Sequence, residues 1–92
     1  MAQRTVRIGS SVGLHARPAK LFTQAVKASG HAVTITKGDG AAVDAGSILR
    51  VMALAAKQGD EVTIASDDDG AEQTLDSLAE LLATDLDEAG AP

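Results

Sequence analysis

The stretch His31-Ala32-Val33-Thr34-Ile35-Thr36-Lys37, then Gly38-Asp39-Gly40, then Ala41-Ala42-Val43, decides the fold class. Val33 and Ile35 fall on one side of a strand over 31–37, with Thr34 and Thr36 on the other, because successive strand side chains alternate. The Gly-Asp-Gly turn is too short for a crossover helix, so residues 41–43 must return antiparallel to the first strand. His31 reads as an exposed strand residue.

Toward the N-terminus, Ala16 to about Ser29 has helical spacing: Ala19, Phe22, Ala25 and Val26 recur every three or four residues, and Gly30 follows the end. Gly9-Ser10-Ser11-Val12-Gly13 is a loop. Thr5 to Ile8 reads as a half-buried strand with Val6 and Ile8 on one face and Arg4 and Arg7 on the other. Toward the C-terminus, Ser47 offers an N-cap to a short helix from about Ile48 to Ala55, and Gln58-Gly59-Asp60 is a turn. Glu61 to Ala65 alternates through Val62 and Ile64 as a fourth strand. Asp67-Asp68-Asp69-Gly70 leads into a last helix from about Ala71 to Thr84, with Leu75, Leu78 and Leu82 inward. Its carboxylates read as the cap of that helix. The order strand-helix-strand-strand-helix-strand-helix predicts an α+β fold. Four antiparallel strands form an open-faced sandwich with three helices on one face. Residues 1–84 make one domain, and residues 85–92 a frayed tail.

Composition excludes several function classes. The chain has 92 residues, a net charge of −5, no cysteine, and Phe22 as its single aromatic. The negative balance argues against nucleic acid and anionic membranes, and the lack of aromatics removes any platform for stacking bases. Without cysteine there is no disulfide framework or thiol chemistry, which fits a reducing cytoplasm. No apolar run approaches the ~20 residues that span a bilayer, and MAQRTVRIG lacks the apolar core of a signal peptide. The acidic run 67–69 lacks the ligand spacing of a calcium loop, so no metal or other cofactor is expected. No hydrolase constellation is present either, since His15 has no carboxylate at a suggestive spacing and no serine lies in a nucleophile motif.

The chemistry concentrates in Gly13-Leu14-His15-Ala16-Arg17-Pro18-Ala19. The Pro18 ring would clash with the Leu14 carbonyl in a helix that reached back so far, so the helix begins between Leu14 and Pro18. His15 then stands at or beside the N-cap. Free N–H groups and the positive end of the dipole favour an anion there, phosphate above all. Arg17 can add a guanidinium, and positive surroundings favour the neutral, nucleophilic imidazole. The alternative is that His15 is only a weak N-cap. Arg17, Lys20, Gln24 and Lys27 continue from this point as one polar stripe, either a solvated face or a docking guide for acidic partners. In the short helix, Val51, Leu54 and Ala55 fall on one face and Ile48, Leu49 and Met52 on the other. Such a helix buries only one face well, and periodicity does not say which.

The Gly-Leu-His-Ala-Arg-Pro-Ala segment resembles the phosphorylation signature of the HPr family, histidine-containing phosphocarriers of the bacterial sugar phosphotransferase system. Val43, Ser47-Ile48-Leu49 and Val51-Met52-Ala53-Leu54 resemble its second signature, and Gln58-Gly59-Asp60 the turn before its last strand. The resemblance implies a carrier with no substrate turnover of its own. His15 would accept phosphate on Nδ1 from phosphorylated enzyme I and pass it to EIIA domains of sugar transporters. Arg17 and the backbone N–H groups of Ala16 and Arg17 would hold the phosphate. Ile48, Leu49 and Met52, beside Lys20, Gln24 and Lys27, would meet the partners of a cytoplasmic monomer. Ser47 matches the family's regulatory serine, the target of a serine kinase. Two places depart from the pattern: Asp44-Ala45-Gly46 stands where many relatives have Asn and then Lys, and Ala55-Ala56 replaces a frequent Gly-Val. A paralogue of the nitrogen-regulating branch and a pure interaction module are the other functions considered.

Overall fold

The computed structural model describes residues 2–9, 13–14 and 16–84. In chain order the elements are β1 (Ala2–Arg7), α1 (Ala16–Ser29), β2 (Thr34–Lys37), β3 (Val43–Asp44), α2 (Ile48–Ala53), β4 (Glu61–Ser66) and α3 (Glu72–Ala83). The strands form one sheet in the order β1-β4-β2-β3, with every neighbouring pair antiparallel. This is the expected open-faced α+β sandwich. The tail at 85–92 lies outside the described residues.

The pleat sorts the sheet into two faces. Ile35, Val62 and Ile64 are fully buried beneath the helices, together with Ala19 and Phe22 of α1, Val51 of α2 and Leu75 of α3. The opposite face carries a polar row in which Thr5 pairs with Thr63 and Thr63 with Thr36. The hydroxyls of Thr5 and Thr63 are 2.9 Å apart. Phe22 fills the centre that an otherwise aliphatic core leaves for one large ring.

Three local expectations need correction. Arg4 does not share a face with Arg7, because the strand period of two puts residues 4, 6 and 8 together. Arg4 is half-buried at the sheet edge, opposite Ile64, and its Nε donates to Asp76 of α3. His31 is neither exposed nor in a strand: β2 starts at Thr34, and His31 is half-buried in the bend after α1. Nor do the aspartates cap α3, whose N-cap is Ala71 without a side-chain bond. Asp68 serves another segment. Its Oδ2 accepts the Ala32 N–H at 2.9 Å and lies 3.3 Å from His31 Nδ1, joining the β4–α3 turn to the chain leaving α1.

Those contacts hold the Asp68 carboxyl below its ordinary value of 3.8, first through the Ala32 N–H and then through His31. A depressed carboxylate contributes stability that is present above its unfolded pKa and lost as pH falls through the lower folded one. The stability gap between native protein and Asp68→Asn is therefore expected to be widest above about pH 4 and to narrow as pH drops further. Urea melts of both proteins across that range check this.

Candidate functional site

The loop before α1 is tied down at both ends. The Gly9 N–H donates to Leu82 O at 2.9 Å, and a Cβ at Gly9 would lie 1.9 Å from the Ala83 carbonyl oxygen. Gly13 has φ +71°, and a Cβ there would lie 2.3 Å from Ala56 O and 2.9 Å from Lys57 Cα. Glycine is required at 9 by close approach, and at 13 by close approach and backbone angle together. The Leu14 side chain is buried, and its N–H donates to Ala56 O at 2.9 Å. His15 itself, like residues 10–12, lies outside the described residues.

The helix starts where Pro18 requires. In the first turn of α1, Ala16 and Arg17 are exposed while Pro18 and Ala19 are buried. The proline's missing N–H removes no hydrogen bond so early in a helix. This turn contains no acidic residue. Arg17 stands instead at the positive end of the dipole, a placement that costs a helix about 0.3–1 kcal/mol. An anion at this end would satisfy the free N–H groups and reverse the charge conflict.

Ala16, Arg17, Lys20 and Gln24 line one shallow depression on α1, and Leu21 lies among them. Leu21 is 37% exposed and was not singled out in the sequence, although its place four residues after Arg17 puts it on that same face. Lys27 lies apart from this depression. It sits at the far end of α1 beside the entry to α2, where a Cβ at Gly46 would come 4.0 Å from Lys27 Cγ. The start of α2 thus adjoins the end of α1, and the chain leaving α2 adjoins Gly13. The two helices run antiparallel, so α2 returns the chain to the N-terminal end of α1.

This course decides which face of α2 is free. Val51 is fully buried, whereas Leu49 is 78% exposed and Ile48 and Met52 are each 36% exposed. Leu54 is half-buried, but Ala55 is exposed and not in the core. The helix ends at Ala53, and tight turns follow through Leu54 N to Val51 O at 3.2 Å and Ala55 N to Met52 O at 3.0 Å. Ala55 then takes φ +53°, a left-handed conformation that glycine adopts more readily. At the other end, the Ser47 hydroxyl is the N-cap and accepts from Arg50 N at 3.4 Å. Asp44 shapes the preceding turn by accepting the Gly46 N–H at 2.9 Å. No helix among the described residues is long and apolar enough to cross a membrane.

Comparison with known proteins agrees with this arrangement. Residues 2–84 match the family model described as the PTS HPr component phosphorylation site. The chain belongs to the HPr family. It is 50% identical over 88 residues to the phosphocarrier protein HPr of Streptomyces coelicolor, covering 96% of this chain and 95% of that protein. The HPr structure from Bacillus anthracis superposes with a TM-score of 0.82 at 37% identity, covering 88% of this chain and 95% of that one. A crystal structure of Crh from Bacillus subtilis, described as a dimer with a swapped domain, gives a TM-score of 0.70 at 34% identity over 91% of this chain and 98% of that one. As an HPr, the chain is a phosphocarrier of the phosphotransferase system.

Replacing Ala55 by glycine is expected to stabilise the protein. Left-handed angles cost a non-glycine residue about 1–2 kcal/mol, and the looser unfolded chain returns about 0.4–1 kcal/mol of that. Ala55→Gly should therefore raise stability by about 0.5–1 kcal/mol. The urea midpoint would move up with an unchanged m-value.

Proposed function

We propose that His15 is the phosphoryl acceptor and that the exposed face of α1 and α2 receives both the donor and the acceptor protein. The observation that carries this is the start of α1 at Ala16, directly after His15, with Ala16 and Arg17 exposed and no acid in the first turn. In the transfer, the Nδ1 lone pair attacks the phosphorus held by phosphorylated enzyme I. The bond from phosphorus to the donor breaks, its electron pair stays with the donor, and the phosphoryl group remains on His15. The N–H groups of Ala16 and Arg17 and the Arg17 guanidinium stabilise its charge. Transfer to an EIIA domain is the same displacement with the roles exchanged, with no redox change.

Docking rests on Leu21, Ile48, Leu49 and Met52 as apolar contacts, with Lys20, Gln24 and Lys27 orienting acidic partner surfaces. Monomeric action keeps this face free. Ser47 serves first as the cap of α2. Phosphorylation by a serine kinase would set negative charge beside Lys27 at the docking face and repel acidic partners there. Ser47 adjoins the end of α1 near Lys27 and not its start at Ala16, 14 residues away along the helix, which makes that an effect on docking and not on the transfer itself.

The decisive experiment uses phosphoenolpyruvate and enzyme I, with an acid-labile phosphohistidine as the readout. Native protein is expected to take label and His15→Ala none. Absence of label on folded native protein, with active enzyme I, sinks the proposal. Arg17→Gln should slow labelling about tenfold or more, the scale of one lost charge-assisted bond. Leu49→Ala should raise the KM for enzyme I several-fold while leaving the urea midpoint unchanged, because an exposed side chain contributes little to stability.

A further inference from the structure

Nothing in the transfer described above uses the Gln58-Gly59-Asp60 turn. Ala56 and Lys57 lie between α2, which ends at Ala53, and β4, which starts at Glu61, so no helical or sheet ladder orients the peptide between them. That single peptide unit is nevertheless held on both sides. Its carbonyl, Ala56 O, accepts the Leu14 N–H at 2.9 Å. Its N–H, that of Lys57, donates to Asp60 Oδ2 at 2.9 Å. Because a peptide is planar, its carbonyl and N–H point in opposite directions and turn together. A rotation that carried the Lys57 N–H away from Asp60 would also carry the Ala56 carbonyl away from Leu14.

Asp60 is itself anchored to the sheet. Its carbonyl accepts the N–H of Ile8, a buried core residue, at 2.9 Å, and its own N–H donates to Lys57 O at 2.9 Å. The neighbouring Gly59 N–H donates to Ile8 O at 2.8 Å. Lys37, at the end of β2, lies 3.7 Å from Asp60 Oδ2 and donates from Nζ to Ala55 O at 3.4 Å. That ion pair is half-exposed and contributes little by itself. The bond from the Lys57 N–H to the carboxylate is the stronger, charge-assisted one. A carboxylate on the N–H also polarises the peptide and makes its carbonyl a better acceptor. Gly13 packs against the same peptide, where a Cβ would lie 2.3 Å from Ala56 O, so the plane has little room to turn without pushing into the chain entering α1.

We infer that Asp60 is a positioning residue for the start of α1. Through the peptide between Ala56 and Lys57 it aims the carbonyl that fixes Leu14, and so carries the rigidity of the sheet to that helix end. Its bearing on transfer rests on the reading of His15 as the acceptor. Asp60 acts through the backbone in this role and touches neither phosphate nor partner. The bond from the Asp60 N–H to Lys57 O would suffice to reverse the chain; the carboxylate on the Lys57 N–H adds the orientation of the peptide that receives Leu14.

Amide hydrogen exchange, read by NMR on native protein, Asp60→Asn and Asp60→Ala, tests the assignment without enzyme I. The reference is the amide of Ile64, in the strand paired on both sides within the sheet. Relative to it, the Leu14 N–H should exchange about tenfold faster in Asp60→Ala, the scale of one lost bond to a charged group. Asp60→Asn keeps an oxygen acceptor without its charge and should show about a threefold gain, so it carries the test if Asp60→Ala does not fold. With saturating enzyme I, both variants should label several-fold more slowly, because the acceptor is less well aligned. The KM for enzyme I should stay within about twofold, since Ile48, Leu49 and Met52 are untouched. Equal gains at Leu14 and Ile64, with a lower urea midpoint, would reduce Asp60 to a turn closure and overturn the inference. Unchanged exchange at Leu14, or a selective gain there with unaltered labelling, would overturn it as well. Failure of native protein to label removes the carrier reading instead, and the exchange still decides whether Asp60 positions Leu14.

Discussion

Leu14 donates its N–H to the Ala56 carbonyl, with Gly13 pressed against the same backbone, and this approach governs the geometry around the loop. It joins the chain entering α1 to the chain leaving α2, elements some forty residues apart in sequence. Without it, α1 could still form and α2 could still bury Val51. What would be lost is the fixed distance between the start of one helix and the end of the other. Gly9 makes a second fixed point against the end of α3, so the loop enters and leaves through close backbone contacts that tolerate no side chain. A phosphoryl group passed between proteins needs its acceptor held on a rigid frame, because transfer depends on alignment with a donor that is itself not covalently attached.

The antiparallel course of α1 and α2 organises the surface in the same way. Cations and exposed apolar side chains lie along α1 and α2, while the acids Asp76 and Asp68 engage β1 and the chain after α1 elsewhere on the molecule. Net charge would make the whole protein repel acidic partners. A local cluster of cations such as Arg17 and Lys20, as on α1, is what would let one face attract them. In the proposed docking, the exposed apolar side chains would supply contact area and the charges around them orientation.

Much of this was legible in the sequence. Pro18 alone fixes the helix start to within a few residues, and the short Gly38-Asp39-Gly40 turn forces an antiparallel sheet. The periodicity of 75, 78 and 82 identified the core face of α3 without ambiguity. Other features depended on contacts that no local pattern encodes. The bond from Asp68 to Ala32 spans distant segments, so a carboxylate run before a helix suggested a cap that does not exist. Arg4 was misplaced because a charged residue in a strand suggests solvent, whereas the pleat sends it to the helix side, where Asp76 accepts it. Nothing in the sequence sets Leu21 apart from the other apolar residues of an amphipathic helix. Only the fold brings it into the basic depression beside Arg17 and Lys20. Ala55 was visible as a departure from the family pattern, but its left-handed angle, and hence its cost, required coordinates.

The edges of the sheet have a bearing on how such a protein parts from its partners. β3, one of the two outer strands, is only two residues long, and the uncovered face presents threonine hydroxyls in place of apolar side chains. An edge that short offers few open backbone groups to a strand from another chain, and a hydroxylated face gives little reason to stay. Lasting adhesion is thereby discouraged at β3 and on the threonine face, in contrast to the helical face with its exposed Leu21, Leu49 and Met52. Frequent exchange of partners is the behaviour that such a distribution of sticky and indifferent surface favours.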